Sequence, residues 1–178
     1  GGIRKINEIS TPYTGLTRNH GVKMVKDYVT AIDVEKRTVK LKNGKTLPYD
    51  KLVLSPGIDL QLDKIEGLAA ANASGQILQA WKAGPETVGL RKQLEAMPDG
   101  GTYILNVPLA PYRCPPGPYE RASMVANYFK QYKPKSKVLL LDANADVTSK
   151  GKLFKGVWES EYKGILEYRP NMKVTGVD

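Results

Sequence analysis

The chain is poor in the residues that build covalent and metal-bound frameworks. Of its 178 residues, one is cysteine and one is histidine. A single cysteine excludes an internal disulfide, so the redox compartment is not legible from the count. The lone His20 follows the turn-rich stretch from Ser10 to Asn19, and no second His or Cys exists to complete a metal site or a catalytic triad. It reads as a surface histidine, and no metal is expected. No apolar run reaches the roughly 20 residues of a membrane helix, so no membrane span is expected. No signal-peptide pattern opens the chain, the first residue is not Met, and the tail stops without a terminating element. These features read as an internal piece, or the mature part, of something longer.

Acid is also in short supply: 18 Asp and Glu face 27 Lys and Arg, a formal charge of +9. Such a balance suits nucleic acid, an anionic surface or an acidic protein partner. The basic residues are spread along the chain, with mild crowding at Lys130–Lys137 and Lys150–Lys155. No helix-turn-helix, RNP or zinc-finger signature accompanies them. A solvated basic surface is the expectation, with no nucleic acid bound. A non-catalytic basic interaction domain stays open as an alternative, which steep salt-dependent binding to DNA would support.

What is present is ordinary for a soluble globular protein: 41% apolar and 25% charged residues. From Val22 the pattern turns extended. Val22–Lys26, Tyr28–Asp33 and Thr38–Lys42 alternate with a period of two, and Asn43-Gly44 marks a hairpin into Lys45–Tyr49. This predicts a small antiparallel meander. Leu52–Gly57 is a short apolar run ending in a glycine turn, as an interior strand of a parallel sheet would be. Ala69–Gly75 reads as a flexible connection, and Trp81 as a core anchor or a lid over a cofactor, core being the safer reading. Gly84-Pro85-Glu86 starts a helix with Val88, Leu90, Leu94 and Met97 on its buried side.

The organising stretch is Thr102–Tyr132. A buried strand at Tyr103–Leu105 leads into a loop crowded with Pro111, Pro115, Pro116 and Pro118, and then into an amphipathic helix. Ala122, Val125, Ala126, Phe129 and Tyr132 recur at helical spacing, and Pro118 suits the first turn. A second apolar run, Lys137–Asp142, and a helix around Lys152–Tyr162 complete a βαβ order with a parallel sheet. Asp142 sits where a ribose-binding acid would, but the preceding turn is rich in proline, which removes N–H donors where a pyrophosphate needs them. No nicotinamide nucleotide is expected.

Cys114 lies in that loop, just before the helix. Two readings stay open on its residues alone. Helix N–H groups and Arg113 favour a thiolate, the reactive form; equally, a lone cysteine is commonly a small buried hydrophobe.

Arg113–Ser123, RCPPGPYERAS, with Lys135–Asp142, resembles the flavoprotein subunit of flavocytochrome c sulfide dehydrogenase. The likeness runs upstream through Gln79–Thr102 and downstream through Ser149–Tyr162. This family is related to sulfide:quinone oxidoreductases and to glutathione-reductase-like flavoproteins. The resemblance implies an α/β fold. Residues 1–70 would be the second half of an FAD-binding domain, its meander and last strand. Residues 71–178 would be a Rossmann-like, nucleotide-binding-type domain carrying a redox-cysteine loop. Val29 would meet the adenine of FAD through its backbone, and Ser55, Pro56 and Gly57 would lie beside the flavin. The glycine-rich G-x-G-x-x-G turn that grips the pyrophosphate is absent, so this piece alone is expected to hold FAD weakly or not at all and to be inactive.

The resemblance also implies that Cys114 is half of an active-site disulfide, its partner lying beyond Asp178, and that Glu120 is an acid/base near the flavin. An acid in a first helical turn also simply complements the helix dipole. The implied activity is oxidation of hydrosulfide through the disulfide and FAD, with electrons passed to a cytochrome c haem subunit in the periplasm. A sulfide:quinone oxidoreductase-like enzyme is the alternative within the class.

Overall fold

The computed structural model describes residues 3–178. The chain divides into two compact units: Ser10–Leu60, and Gln61–Asp178 with the N-terminal segment up to Ile9.

The first unit opens with a short helix, α1 (Thr14–His20), where the sequence reading expects a loop. It stops at Gly21, whose φ of 65° gives the left-handed cap and whose N–H donates back to the Leu16 carbonyl. The meander follows as β1 (Val29–Asp33), β2 (Thr38–Leu41) and β3 (Thr46–Pro48), antiparallel and in that order. The Asn43-Gly44 turn forms as expected. Gly44 has φ 87°, its N–H reaches the Leu41 carbonyl, and the Leu41 N–H closes on the Lys45 carbonyl at 2.8 Å.

Two expected strands do not form. Val22–Lys26 is irregular, and so is Leu52–Gly57. Val53 stands 86% exposed and Leu54 is exposed beside it. An extended run becomes a strand only when its N–H and C=O groups meet a ladder, and among the described residues none pairs with this one.

The second unit begins with α2 (Leu68–Ala73), a helix where the sequence reading expects a flexible connection. Its Asn72 side chain donates to the Ile77 carbonyl and to the Glu86 carboxylate, which ties the helix to the next element. That element, α3 (Pro85–Ala96), starts with proline and an acid in its first turn, as read from the sequence. Leu94 is its buried residue, while Val88 is exposed. Its C-terminal carbonyls are collected by a buried lysine. Lys133 Nζ donates to the carbonyls of Leu94 at 2.8 Å and Glu95 at 2.7 Å, and to that of Met97.

Three parallel strands form the sheet, in the order β4 (Thr102–Val107), β5 (Lys137–Asp142), β6 (Leu166–Arg169). Helix α4 (Gly117–Tyr132) connects the first pair and α5 (Gly151–Ser160) the second. Strand β6 falls in the weakly patterned tail beyond Tyr162, for which the sequence reading expects no element. The core joins Val107, Val138 and Leu140 of the sheet to Tyr119, Ala122, Ala126 and Phe129 of α4 and to Phe154 and Trp158 of α5. Burying a side chain such as Phe129 stabilises by roughly 1.5–3 kcal/mol. Tyr132, read as part of the buried face, is exposed: the buried stripe of α4 runs on from Phe129 to Lys133, four residues later, and passes Tyr132 by.

Candidate active site

The loop between β4 and α4 is fastened at both ends. Near its start, the Asn144 amide bridges two backbone groups: Oδ1 accepts the Ala110 N–H at 2.9 Å, and Nδ2 donates to the Pro108 carbonyl at 2.9 Å. Asn144 is itself oriented by Asp142 Oδ1, which accepts from its side-chain and backbone nitrogens at 2.8 and 2.9 Å. Nearer Cys114, the Tyr112 hydroxyl lies 2.7 Å from Thr148 Oγ1, 3.2 Å from the Pro115 carbonyl and 3.3 Å from the Tyr119 hydroxyl. Its one proton serves one of these acceptors at a time.

Asp142 is fully buried, and its carboxylate is consumed by this network. Oδ2 accepts the Tyr119 hydroxyl at 2.8 Å and the Tyr168 hydroxyl at 3.2 Å. Burial pushes both phenols well above the ordinary tyrosine range, and hydrogen bonding to the carboxylate adds to it. They therefore stay neutral donors. A carboxylate placed at a strand end with four donors already on it is a structural anchor, not a ribose ligand.

Cys114 occupies the turn before α4. Its φ is 57°, a left-handed conformation that non-glycine residues adopt at a cost, and its carbonyl accepts the Gly117 N–H at 2.9 Å. The residue is exposed, with a free thiol, so the reading of a buried, inert cysteine does not apply. A Cβ built on Gly117 would stand 3.3 Å from the Cys114 sulfur and 3.1 Å from the Trp81 ring. Sulfur and indole thus converge on the bare backbone of the first residue of α4. Pro118 fills the second helical position, as expected. Glu120 is exposed in the same first turn, three residues on from Gly117 and so on an adjoining part of the helix face.

Trp81 is 41% exposed and stands outside the core, contrary to the core reading of its sequence context. Its backbone, rather than its ring, is what the fold secures. Gln79 Oε1 accepts the N–H groups of Trp81 and Lys82, both at 2.7 Å, and the Gln79 N–H donates to Glu86 at 2.9 Å. Arg121, one turn on from Gly117, donates Nη2 to the Ala80 carbonyl at 2.8 Å. Burial lowers the Arg121 pKa, and the nearby Tyr103 phenol, itself raised by burial, opposes that shift. Trp81 and Arg121 also line a cavity of about 700 Å³ that runs along β4 past Tyr103 and Leu105. The sequence signal for this wall was a glycine between two prolines, which leaves a helix start with no side chain under an aromatic.

The predicted cofactor residues lie in the other unit, Ser10–Leu60. Val29 is exposed in β1, and Ser55, Pro56 and Gly57 follow the irregular run from Leu52. Gly57 has φ 81°, but a Cβ there would meet nothing within 4 Å. All four residues are exposed, and among the described residues no glycine-rich G-x-G-x-x-G turn is present to hold a pyrophosphate. They do not by themselves fit FAD. Among the described residues, no group of three or more metal-ligating side chains is found, and no helix is long and apolar enough to cross a membrane.

The family sequence model described as the central part of the sulfide dehydrogenase (flavocytochrome c) flavoprotein chain matches residues 87–178, just over half of the chain and the whole of the cysteine loop. The chain belongs to this family. It is also 28% identical over 122 residues to the mitochondrial sulfide:quinone oxidoreductase of Dictyostelium discoideum, covering 67% of this chain and 26% of that protein. In structure it resembles the sulfide:quinone oxidoreductase of Aquifex aeolicus, with a TM-score of 0.76 at 19% identity, covering 99% of this chain and 41% of the other. A ferredoxin reductase from Rhodopseudomonas palustris superposes with a TM-score of 0.64 at 13% identity, over 94% of this chain and 37% of the other. These structural likenesses show the fold, an α/β flavoprotein-type architecture of a parallel sheet plus an antiparallel meander. The chain spans about a quarter of the curated relative it matches.

Proposed function

We propose that these residues are the central part of a sulfide-oxidising flavoprotein in which Cys114 is the sulfur that meets hydrosulfide. The observation that carries the reading is the placement of Cys114. In a chain of this family, the single cysteine is exposed, held left-handed at a helix start and fixed by a loop network that the core anchors.

In the proposed step, Cys114 is joined in a disulfide to a second cysteine supplied from outside these residues. Hydrosulfide attacks the Cys114 sulfur, a new S–S bond forms there, the bond to the second cysteine breaks, and the products are a persulfide on Cys114 and a thiolate on its partner. The thiolate retains the bond's electron pair. Once its proton is gone the persulfide on Cys114 is an anion, and the first turn of α4 presents a positive dipole end to that charge. Glu120, in that same turn, is the proposed acceptor of the hydrosulfide proton. In the whole protein, FAD supplies the two-electron sink. Because the residues here do not enclose it, no step at the flavin is assigned to them.

Electron delivery to a cytochrome c haem subunit is the proposed ending, supported by the family's description as a flavocytochrome c flavoprotein chain; a periplasmic setting is proposed with it on the family resemblance alone. The likeness to two sulfide:quinone oxidoreductases favours quinone as the second reading. Co-purification of a haem subunit separates the two. For the step itself, Cys114→Ser in the whole protein is expected to abolish sulfide-dependent turnover, and retained turnover would sink the assignment.

A further inference from the structure

Trp81 has no place in the step above, yet the fold spends several hydrogen bonds on its position. Gln79 and Glu86 hold the backbone of its loop from one side, and Arg121 holds it from α4. The ring is left partly in solvent, with its edge over Gly117, where the Cys114 sulfur also comes close. A tryptophan in this state does not contribute what a core tryptophan contributes, since much of its apolar area stays wet. What the arrangement does achieve is a flat ring facing the same point above Gly117 as the sulfur does: a Cβ there would stand 3.1 Å from the one and 3.3 Å from the other. Gly117 makes it feasible: any side chain there would meet ring and sulfur together.

We infer that Trp81 is a specificity-determining residue of the Cys114 site, a wall that leaves room for small inorganic sulfur anions and crowds out organic thiols and other bulky partners. This rests on the reading of Cys114 as the sulfur-reactive residue. Hydrosulfide carries no substituent beyond its proton and approaches along any open side of the sulfur. An organic thiol brings an alkyl chain that the indole must displace. Apolar walls discriminate modestly for small size differences, and more when a whole substituent has to clash.

The test uses the 178-residue chain as it stands, with its free thiol. Second-order rates of Cys114 alkylation are measured with a small reagent, iodoacetamide, and a bulky one, a pyrene maleimide. Trp81→Ala is expected to raise the bulky rate about tenfold while the iodoacetamide rate changes less than about twofold. Trp81→Phe, which keeps a flat ring and guards against a misfolded Ala variant, is expected to fall between. A general loosening of the loop would raise both rates together, so the ratio is the readout. An unchanged ratio in both variants overturns the inference. The companion measurement is made on the whole protein: kcat/KM for hydrosulfide against that for 2-mercaptoethanol, whose ratio is expected to fall about tenfold in Trp81→Ala. The two readings fail separately. If Cys114→Ser keeps sulfide turnover, the chemical assignment is lost, whereas the alkylation ratio still decides whether Trp81 screens the sulfur.

Discussion

The two units of this chain carry similar apolar patterning and opposite degrees of burial. In Gln61–Asp178, α4 and α5 pack with a three-stranded sheet, and twelve buried apolar residues form one core cluster. In Ser10–Leu60, Leu41 is the buried apolar residue among those described, while Tyr28, Val29, Val53 and Leu54 stand exposed. Alternation of apolar and polar residues is therefore necessary for a strand or a buried face but does not deliver one. A face is buried only where the chain supplies a second layer to lie on it. The cysteine loop belongs to the unit that has both layers, which is why it is held in one geometry.

This contrast can be broken by mutation, and the largest effect should come from the core. Phe129→Ala in α4 is expected to cost about 3–5 kcal/mol, read as a lowered denaturant midpoint. A cost below 1 kcal/mol would mean that the core is not the source of the unit's order. Next comes Tyr119→Phe, which removes one donor from the buried Asp142 carboxylate and the acceptor of the Thr148 N–H. It is expected to cost about 1–3 kcal/mol and to speed alkylation of Cys114 by both small and bulky reagents. Lys133→Met leaves three carbonyls at the end of α3 without their donor and is expected to cost about 1–3 kcal/mol.

A pH experiment sharpens the comparison without mutation. Glu86 is held below the ordinary carboxylate range, chiefly by the Gln79 backbone N–H and next by the Asn72 side chain. A carboxylate depressed in the folded state stabilises fully above its unfolded value, and loses that contribution as pH falls through the folded one. Acidification below about pH 4 is thus expected to loosen the Gln79–Glu86 loop and shift the emission of Trp81, the more exposed of the two tryptophans. Emission that stays flat until global unfolding would contradict the link. The smallest effect is reserved for the uncovered unit: Val53→Ser is expected to change stability by less than about 0.5 kcal/mol.

How much of this was legible in the sequence follows the same division. The proline loop and amphipathic helix around Cys114 were readable because local signals and tertiary packing agree there; the strand before them forms, but Ile104, read as buried, is 60% exposed. Proline sits where a helix starts, and Ala122, Val125, Ala126 and Phe129 all lie in the buried core cluster. The Asn43-Gly44 hairpin was readable because the turn's chemistry is local. Leu52–Gly57 misled because hydrophobicity announces a strand without naming its partner. The short helices α1 and α2 escaped because one is polar and depends on its Gly21 cap, and the other is a run of alanines that reads equally as linker. Strand β6, four residues of which Leu166 is the buried one, is too short to signal by itself. In the site, Cys114 and Glu120 were legible as candidates. Trp81, read as a core anchor in preference to a lid, stands exposed instead, because its position depends on a loop held by Gln79, Glu86 and Arg121.

The central claim is that hydrosulfide sulfur bonds to Cys114, and the most direct measurement is mass spectrometry of the whole protein after brief anaerobic exposure to sulfide. Alkylating quench and proteolysis would isolate the peptide containing Cys114. The account predicts that peptide carrying one additional sulfur atom, at a level that rises and decays with turnover. An active enzyme in which sulfur accumulates on another cysteine, and never on Cys114, would contradict it.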